Sequence, residues 1–527
     1  MNKRITQLHK KIVSSKKVIA LTKFSKVTSK LSLYWLAFAL FSSGFWVERH
    51  FGQPNFEQVM YHIQFSFRGL VEIDPSLAKS FIRNAFIYPF ILAFMVFLYE
   101  TTIITIHKIG FKQTFDLLKA FFYKYIYKLI EKSPRTILNI STFLIKKRVL
   151  IFLLIGGCAF FLSKVSFWSY LSKRHESAFF NENYIAPKTI TPPEKKKNLI
   201  LIYVESLETT FSDKHLFGED LLAKLNTKTK DAVSFENYIQ TVGTGWTVAG
   251  IISSQCGIPL RPINYNGNDL GETVKQFLPN ITCLGDILKN AGYKNIFMDG
   301  ASLLFAGKGK FLSTHGYDEL YGKEEWENLG ENSKQDFNGW GLYDDLLLEK
   351  AKKKLKELEK SSTPFNLTIL TLDTHHPNGF ISNYCKRKGA HNLIEIVRCT
   401  SSLLADFIDY LEKQNYTKNT DIVILGDHLS MKNSAYDKIL QEPQRRIFNK
   451  FISSNTLEKN REDFSHISAM PSILYMMGFR FKNNRLGLGY SGFGELDPNF
   501  SSYKDEDHET RLSSYSKIYL DFWKAKK

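Results

Sequence analysis

Four short apolar runs in the last two thirds of the chain each end on a carboxylate or an imidazole, and that repetition restricts the fold more than any other feature. Ile422, Val423, Ile424 and Leu425 form a continuous β-branched and apolar run that stops at Gly426-Asp427-His428. A run without polar alternation is the pattern of a strand buried on both faces, as in a parallel sheet. Residues 198–204 end in Glu205-Ser206, 293–298 in Asp299-Gly300, and 365–372 in Asp373-Thr374-His375-His376-Pro377. Ligands bind outside the carboxyl ends of strands in open α/β sheets, so these endings predict one site assembled along one sheet edge. Helical patterns over 342–358 and 401–411 alternate with the runs. The alternation predicts an α/β domain with a mainly parallel sheet flanked by helices. A further helix is expected from His466 to a glycine cap at Gly478, with Pro471 near its first turn.

The N-terminal third is a different kind of polymer. Residues 1–30 carry nine Lys/Arg and no acid, lack the short apolar core and small-residue cleavage site of a signal peptide, and read as a cytoplasmic arm. Residues 31–47, 85–106 and 149–167 are three apolar stretches of near-spanning length, the second interrupted by Glu100 and the third carrying Lys164 close enough to its end to snorkel. The stretch 56–70 mixes apolar and polar residues at helical spacing and reads as an interfacial amphipathic helix or a soluble connector. The loop 107–148 holds ten Lys/Arg against Asp116 and Glu131, and includes a second amphipathic stretch. Lysine asymmetry places both the arm and this loop inside, so three spans put everything after residue 170 outside. Expected domains are therefore a helical transmembrane region at 1–170, a tether at 171–197 with two adjacent prolines and a lysine run, and an extracytoplasmic domain at 198–527.

The net charge of +18 invites a nucleic-acid reading, but the lysines cluster beside apolar segments, which favours membrane topology. Of five cysteines, Cys158 lies in an apolar segment, and Cys256, Cys283, Cys385 and Cys399 fall in the outer domain. No pair has Cys-x-x-Cys spacing, so two disulfides in an oxidising compartment fit better than a zinc ribbon. Sequence order favours Cys256 with Cys283 and Cys385 with Cys399, among three possible connectivities.

Glu205, Asp427 and His428 offer oxygen and nitrogen ligands suited to one divalent ion; Mn²⁺, Mg²⁺ and Zn²⁺ all accept that donor set. The oxygen nucleophile belongs in Thr241-Val-Gly-Thr-Gly-Trp-Thr247, a glycine-rich turn leading into a helix. A threonine at that N-terminus faces a phosphate held by backbone N–H groups and the helix dipole, and metal coordination lowers the pKa of its hydroxyl. Thr247 serves equally as an N-cap, and Thr244 is the rival nucleophile.

Glu205-Ser206, the turn with Thr247, Ser254-Gln-Cys-Gly-Ile-Pro-Leu260, Cys283-Leu-Gly-Asp-Ile-Leu-Lys-Asn-Ala-Gly-Tyr293, Phe305-Ala-Gly-Lys308, Asp373-Thr-His-His-Pro-Asn-Gly-Phe380 and Gly426-Asp-His428 together resemble the phosphoglycerol transferases of osmoregulated periplasmic glucans. These are related to lipoteichoic acid synthases and phosphoethanolamine transferases of the alkaline phosphatase and sulfatase superfamily, and the resemblance covers roughly residues 197–480. It implies a metal site of Glu205, Thr247, Asp427 and His428, with Thr247 as nucleophile. His375, or His376 if the frame is off by one, would contact the transferred phosphate or the acceptor. Asp299 stands where lipoteichoic acid synthases have a histidine, and Ser302 where they have an acid, which leaves the head-group contacts open. Lys308 and Trp340 would line the donor pocket, or serve a solvated or core role. The implied reaction is transfer of phosphoglycerol from phosphatidylglycerol to an envelope glycan through a phospho-threonine, in the periplasm, by a multi-pass protein of the bacterial inner membrane. Phosphoethanolamine transfer to lipid A or glycan, and phosphodiester or sulfate-ester hydrolysis, are the enzymatic alternatives. A non-enzymatic binding protein on a decayed fold would lack a site residue, and none of the four is missing.

Overall fold

Leu199, Leu201 and Tyr203 join one buried cluster, and the alternating Ile200, Ile202 and Val204 join another. Strand β1 (Asn198–Val204) thus has no solvated face and must lie inside a layered structure. In the computed structural model, which describes residues 16–65, 75–109, 147–173, 177–261, 274–331 and 335–524, β1 sits within a six-stranded sheet. The others are β2 (Lys294–Asp299), β3 (Glu319–Tyr321), β4 (Phe365–Leu370), β5 (Thr420–Gly426) and β6 (Asn449–Ile452), in the order β3-β2-β4-β1-β5-β6. All neighbours pair in parallel except β6, which is antiparallel to β5. Register sets the edge that matters. Val204 lies opposite Gly426, so Glu205 and Asp427 leave the sheet at the same level, and Asp299 lies opposite Leu370.

Two compact units share the chain: Met1–Arg49 with Ser76–Trp168, and His50–Pro75 with Ser169–Lys527. Helices α1 (Lys16–Phe51), α2 (Phe56–Phe65), α3 (Tyr88–Ile109) and α4 (Lys147–Lys164) come from the N-terminal third. Among the described residues, two helical stretches are long and apolar enough to cross a membrane, Thr28–Phe51 and Pro75–Ile104. The third expected span is helical as α4, with 18 residues, Lys147 and Arg148 at one end and Lys164 at the other. Inside the first unit, Glu100 accepts a hydrogen bond from Tyr34 Oη at 2.5 Å and pairs with Lys30 at 2.6 Å, which satisfies the acid that interrupts α3. The N-terminal arm before residue 16 and most of the loop 107–148 lie outside the described residues.

In the second unit, α5 (Thr247–Cys256) and α8 (Ala469–Met476) contribute to the cluster on one face of the sheet; α6 (Asp344–Leu358) and α7 (Leu393–Lys413) pack on the other. Two sequence boundaries differ from the packing. Within the expected tether 171–197, residues 180–191 are packed: Phe180 is fully buried, Ile185 bridges to Gly487, and Ile190–Thr191 pairs with Arg480–Phe481. Its apolar residues find partners on the domain, which composition alone does not reveal. The stretch from residue 56 is helical over Phe56–Phe65, and residues 66–70 lie outside the described residues. Its residues Glu57 and Gln58 are buried within the second unit, while His62 and Gln64 are half-buried.

Both disulfides join the expected partners, Cys256 with Cys283 and Cys385 with Cys399. The first pins the end of α5 to the start of the helix Leu284–Asn290.

Candidate active site

Three elements deliver the site. Glu205 follows the last residue of β1 and precedes Ser206, which is in the left-handed region at φ 56°; Asp427 and His428 follow the last residue of β5; α5 brings Thr247 as its first helical residue, after Trp246 in extended conformation. Glu205, Asp427 and His428 are buried, and one ligand atom from each lies within 4.8 Å of the others. His428 Nδ1–H donates to the Leu429 carbonyl at 2.8 Å, so Nε2 is the ring nitrogen that faces Glu205 Oε1 at 3.4 Å and Asp427 Oδ2 at 3.5 Å. Asp427 Oδ1 accepts from Ser206 N at 2.7 Å and His428 N at 2.8 Å, whereas Asp427 Oδ2 is buried with no hydrogen-bond partner. Acceptors converging on one point, one of them an orphan carboxylate oxygen, fit a cation.

The same crowding perturbs the titrations. Burial, then the Glu205 charge, push the Asp427 carboxyl up to about 8. Burial works against a charged His428, yet Asp427 and Glu205 hold its imidazole at about 9. Burial also opposes ionised Glu205, but the facing His428 outweighs it and holds the carboxyl below its usual range.

Thr247 Oγ1 donates to Glu205 Oε2 at 3.2 Å and lies 3.4 Å from His428 Nε2, on a residue that stays half-exposed. Its side chain does not cap the helix. Thr244 is fully buried and donates to the Thr241 carbonyl at 2.7 Å, which takes the rival hydroxyl out of reach. α5 approaches β5 closely because Gly250 has no side chain: a Cβ there would stand 1.9 Å from the Asp427 carbonyl oxygen.

His375 and His376 lie within electrostatic range of Glu205. Their rings stack at 4.6 Å, and His375 packs on Trp340 at 4.3 Å. Burial, then the neighbouring His375, hold the His376 imidazole well below its ordinary value, which leaves it neutral. Asp299 and Lys308 form a buried ion pair, and Asp299 Oδ1 also accepts from Ala301 N at 2.9 Å. Each therefore already has a partner inside the protein, so the pair braces the loop after β2. Trp340 is nearly buried between Phe305 and His375, at the edge of the site.

Sequence reasoning missed the supporting residues. Buried Glu208 is held by Arg445, which also donates to the Ser430 carbonyl at 2.6 Å, and Glu208 accepts from Ser430 N at 2.9 Å. This fastens the loop that carries His428. His466 Nε2–H donates to the Asp427 carbonyl at 2.7 Å, and burial pushes its imidazole down to about 3. Asp344 Oδ1 and Oδ2 accept from Leu372 N and Asp373 N, while Asp373 accepts from Asp344 N, so two buried carboxylates clamp the turn leading to His375. Glu208 stands one helical turn's worth of sequence from Glu205, but its partner is more than two hundred residues away, and no local pattern signals the contact.

The Sulfatase family profile matches residues 197–479, more than half of the chain, and the chain belongs to that family. It is similar to phosphoglycerol transferase I of Escherichia fergusonii, 43% identical over 265 residues that make up 49% of this chain and 34% of that protein. The Shigella flexneri phosphoglycerol transferase I is 42% identical over 315 residues, 58% of this chain and 40% of its own length. The chain thus matches well under half the length of these relatives. Among solved structures, the lipoteichoic acid synthase LtaP from Listeria monocytogenes aligns with a TM-score of 0.47 at 17% identity, over 65% of this chain and 96% of that one. A Vibrio parahaemolyticus protein in the alkaline phosphatase superfamily aligns with a TM-score of 0.45 at 21% identity, over 59% of this chain and 75% of that one.

Proposed function

We propose that this chain is a membrane-anchored, metal-dependent transferase that moves phosphoglycerol from phosphatidylglycerol to a cell-envelope glycan, with Thr247 as the nucleophile and the second unit in the periplasm. The observation that carries the reading is the hydroxyl of Thr247, half-exposed at a helix N-terminus and directed by Glu205 over a buried cluster of acceptors. Glu205, Thr247, Asp427 and His428 would hold one divalent ion, Mn²⁺, Mg²⁺ or Zn²⁺, whose charge lowers the pKa of the hydroxyl and neutralises phosphate oxygens. Glu205 Oε2 takes the hydroxyl proton's hydrogen bond, so a lone pair of Oγ1 is free for phosphorus. Attack forms the Oγ1–P bond as the hydroxyl proton passes to Glu205 Oε2, and breaks the P–O bond to diacylglycerol, whose oxygen takes a proton from His375 Nε2. A sugar hydroxyl then attacks the same phosphorus and gives its proton to His375, while the Oγ1–P bond breaks and Thr247 recovers its proton from Glu205. Free N–H groups at the start of α5 face the phosphate throughout. Phosphoglycerol as the transferred group rests on the similarity to phosphoglycerol transferase I, and phosphatidylglycerol as donor and a glycan as acceptor rest on the motif resemblance described above; the disulfides agree with an oxidising compartment.

The test is incubation of detergent-solubilised protein with head-group-labelled phosphatidylglycerol, followed by peptide mapping. Label held covalently on the Thr247 peptide, and its loss in Thr247→Ala, are the expected results. Near-normal diacylglycerol release by Thr247→Ala overturns the assignment. Label acquired from phosphatidylethanolamine instead would replace the donor.

A further inference from the structure

Helix α2 is docked by the face that sequence alone would turn to water. Glu57 and Gln58 are buried with Tyr61 and Phe65. Glu57 Oε1 pairs with Arg261 Nε at 2.8 Å, Tyr61 Oη donates to the Ala306 carbonyl at 2.7 Å, Gln58 Nε2 meets Met431 Sδ at 3.5 Å, and Phe65 packs on Phe277. The opposite arc holds Val59, Met60 and Ile63 at helical spacing: the first two are half-buried and Ile63 is 56% exposed. No charged residue lies on that outward arc. Only Gly52 to Asn55 separate α2 from Phe51, the last residue of the apolar stretch Thr28–Phe51.

The same segment also borders the site. His62 packs on Trp246, the residue before the nucleophile, and on Phe305. From Phe305 ring contacts pass to Trp340, His375 and His376, and His376 meets Phe51. A belt of rings beside the site thus runs from His62 in α2 to Phe51 at the end of the first apolar stretch.

We propose that α2 is the surface through which the second unit receives its phospholipid: Val59, Met60 and Ile63 seat against the acyl region of a bilayer phospholipid, and the belt from His62 to Phe51 admits its phosphodiester to Thr247. Continuity with the apolar stretch ending at Phe51, together with an outward arc that is apolar while the polar arc is locked inward, selects a bilayer as the occupant. The inference rests on the phospholipid-donor reading above for its second half alone.

The experiment uses the full chain in nanodiscs that contain a phospholipid with a diazirine on its acyl chain, with labelled peptides mapped after illumination. The peptide carrying residues 59–63 is expected to be labelled at least about fivefold above those carrying Leu329 and Leu440, which are exposed apolar residues of the same unit. Absence of that enrichment, or cross-linking of the helix to a second copy of the chain instead, overturns the proposal. In a kinetic arm, Ile63→Asp should raise KM for bilayer phosphatidylglycerol about tenfold or more, with Ile63→Leu restoring it and bis(p-nitrophenyl) phosphate hydrolysis unchanged. Equal loss on both substrates would make α2 a structural brace alone and overturn it. Labelling requires no turnover, so enrichment without phosphoglycerol transfer would reject the donor chemistry and leave the bilayer contact standing.

Discussion

Replacing Gly250 by alanine separates the helix that carries the nucleophile from the strand end that carries the metal ligands. The added Cβ would stand 1.9 Å from the Asp427 carbonyl oxygen, where ordinary contact begins at 3.4 Å, so α5 and β5 must part by about 1.5 Å. Asp427 has little room to yield, because His466 holds the same carbonyl at 2.7 Å and Ser206 and His428 hold its carboxylate. Movement therefore falls on α5. Gly250 lies one turn from Thr247, whose hydroxyl sits 3.2 Å from Glu205 and 3.4 Å from His428. A shift of that size breaks both contacts, and a misplacement of about 1 Å at a reacting group costs on the order of a hundredfold in rate. Overpacking of this kind also costs roughly 1–3 kcal/mol of stability. The assay pairs diacylglycerol release with thermal unfolding and metal titration of purified Gly250→Ala. The expected result is a folded protein, modestly destabilised, that still binds metal and turns over on the order of 1% as fast as the parent. Retention of more than about a third of the turnover would refute the argument that this close approach aims the hydroxyl.

Further outcomes follow from other contacts. Arg261→Ala leaves Glu57 buried without its partner, so unfolding free energy should fall by about 3–5 kcal/mol, read by denaturant titration. Glu57→Gln should cost visibly less, since it keeps a hydrogen-bonding group. The Cys256–Cys283 bridge closes a 27-residue separation, so Cys256→Ser with Cys283→Ser should lose roughly 3–4 kcal/mol in the chain-entropy account, and parent and variant should converge in reductant. Burial, then the charges of Asp345 and Asp299, raise Asp344 to about 7, and burial, then the Asp344 charge, push Asp373 well above its ordinary value. Folded-state pKa values above the unfolded carboxylate range mean that the folded protein holds extra protons, so this pair's contribution is full below about pH 4 and is lost as pH rises through about 7. Asp373→Asn should flatten that decline in Tm between pH 4.5 and 8, and parallel parent and variant curves would count against a shared proton.

The sequence by itself determined the layered domain and most of its site. β1 and β5 carry uninterrupted apolar runs and β4 is mostly apolar, with Asn366 and Thr368 buried in it, and such strands have no stable home except between two layers of helices; parallel pairing then brings Glu205, Asp427 and the His375 turn to one edge without further information. It also separated the lysine-rich apolar third from the rest, because that contrast is compositional. Tertiary structure decided what depends on distant partners. Thr247 and Thr244 are chemically equivalent in a glycine-rich turn, and only the chain's path aims one at Glu205 and buries the other against the Thr241 carbonyl. Lys308 reads as a donor-pocket, solvated or core residue, and only the fold pairs it with Asp299 in the interior. The polar arc of α2 reads as solvated until Arg261, some two hundred residues on, meets Glu57. Local periodicity reports which face of an element is apolar; whether its polar groups meet water or a buried partner depends on segments that no local window contains.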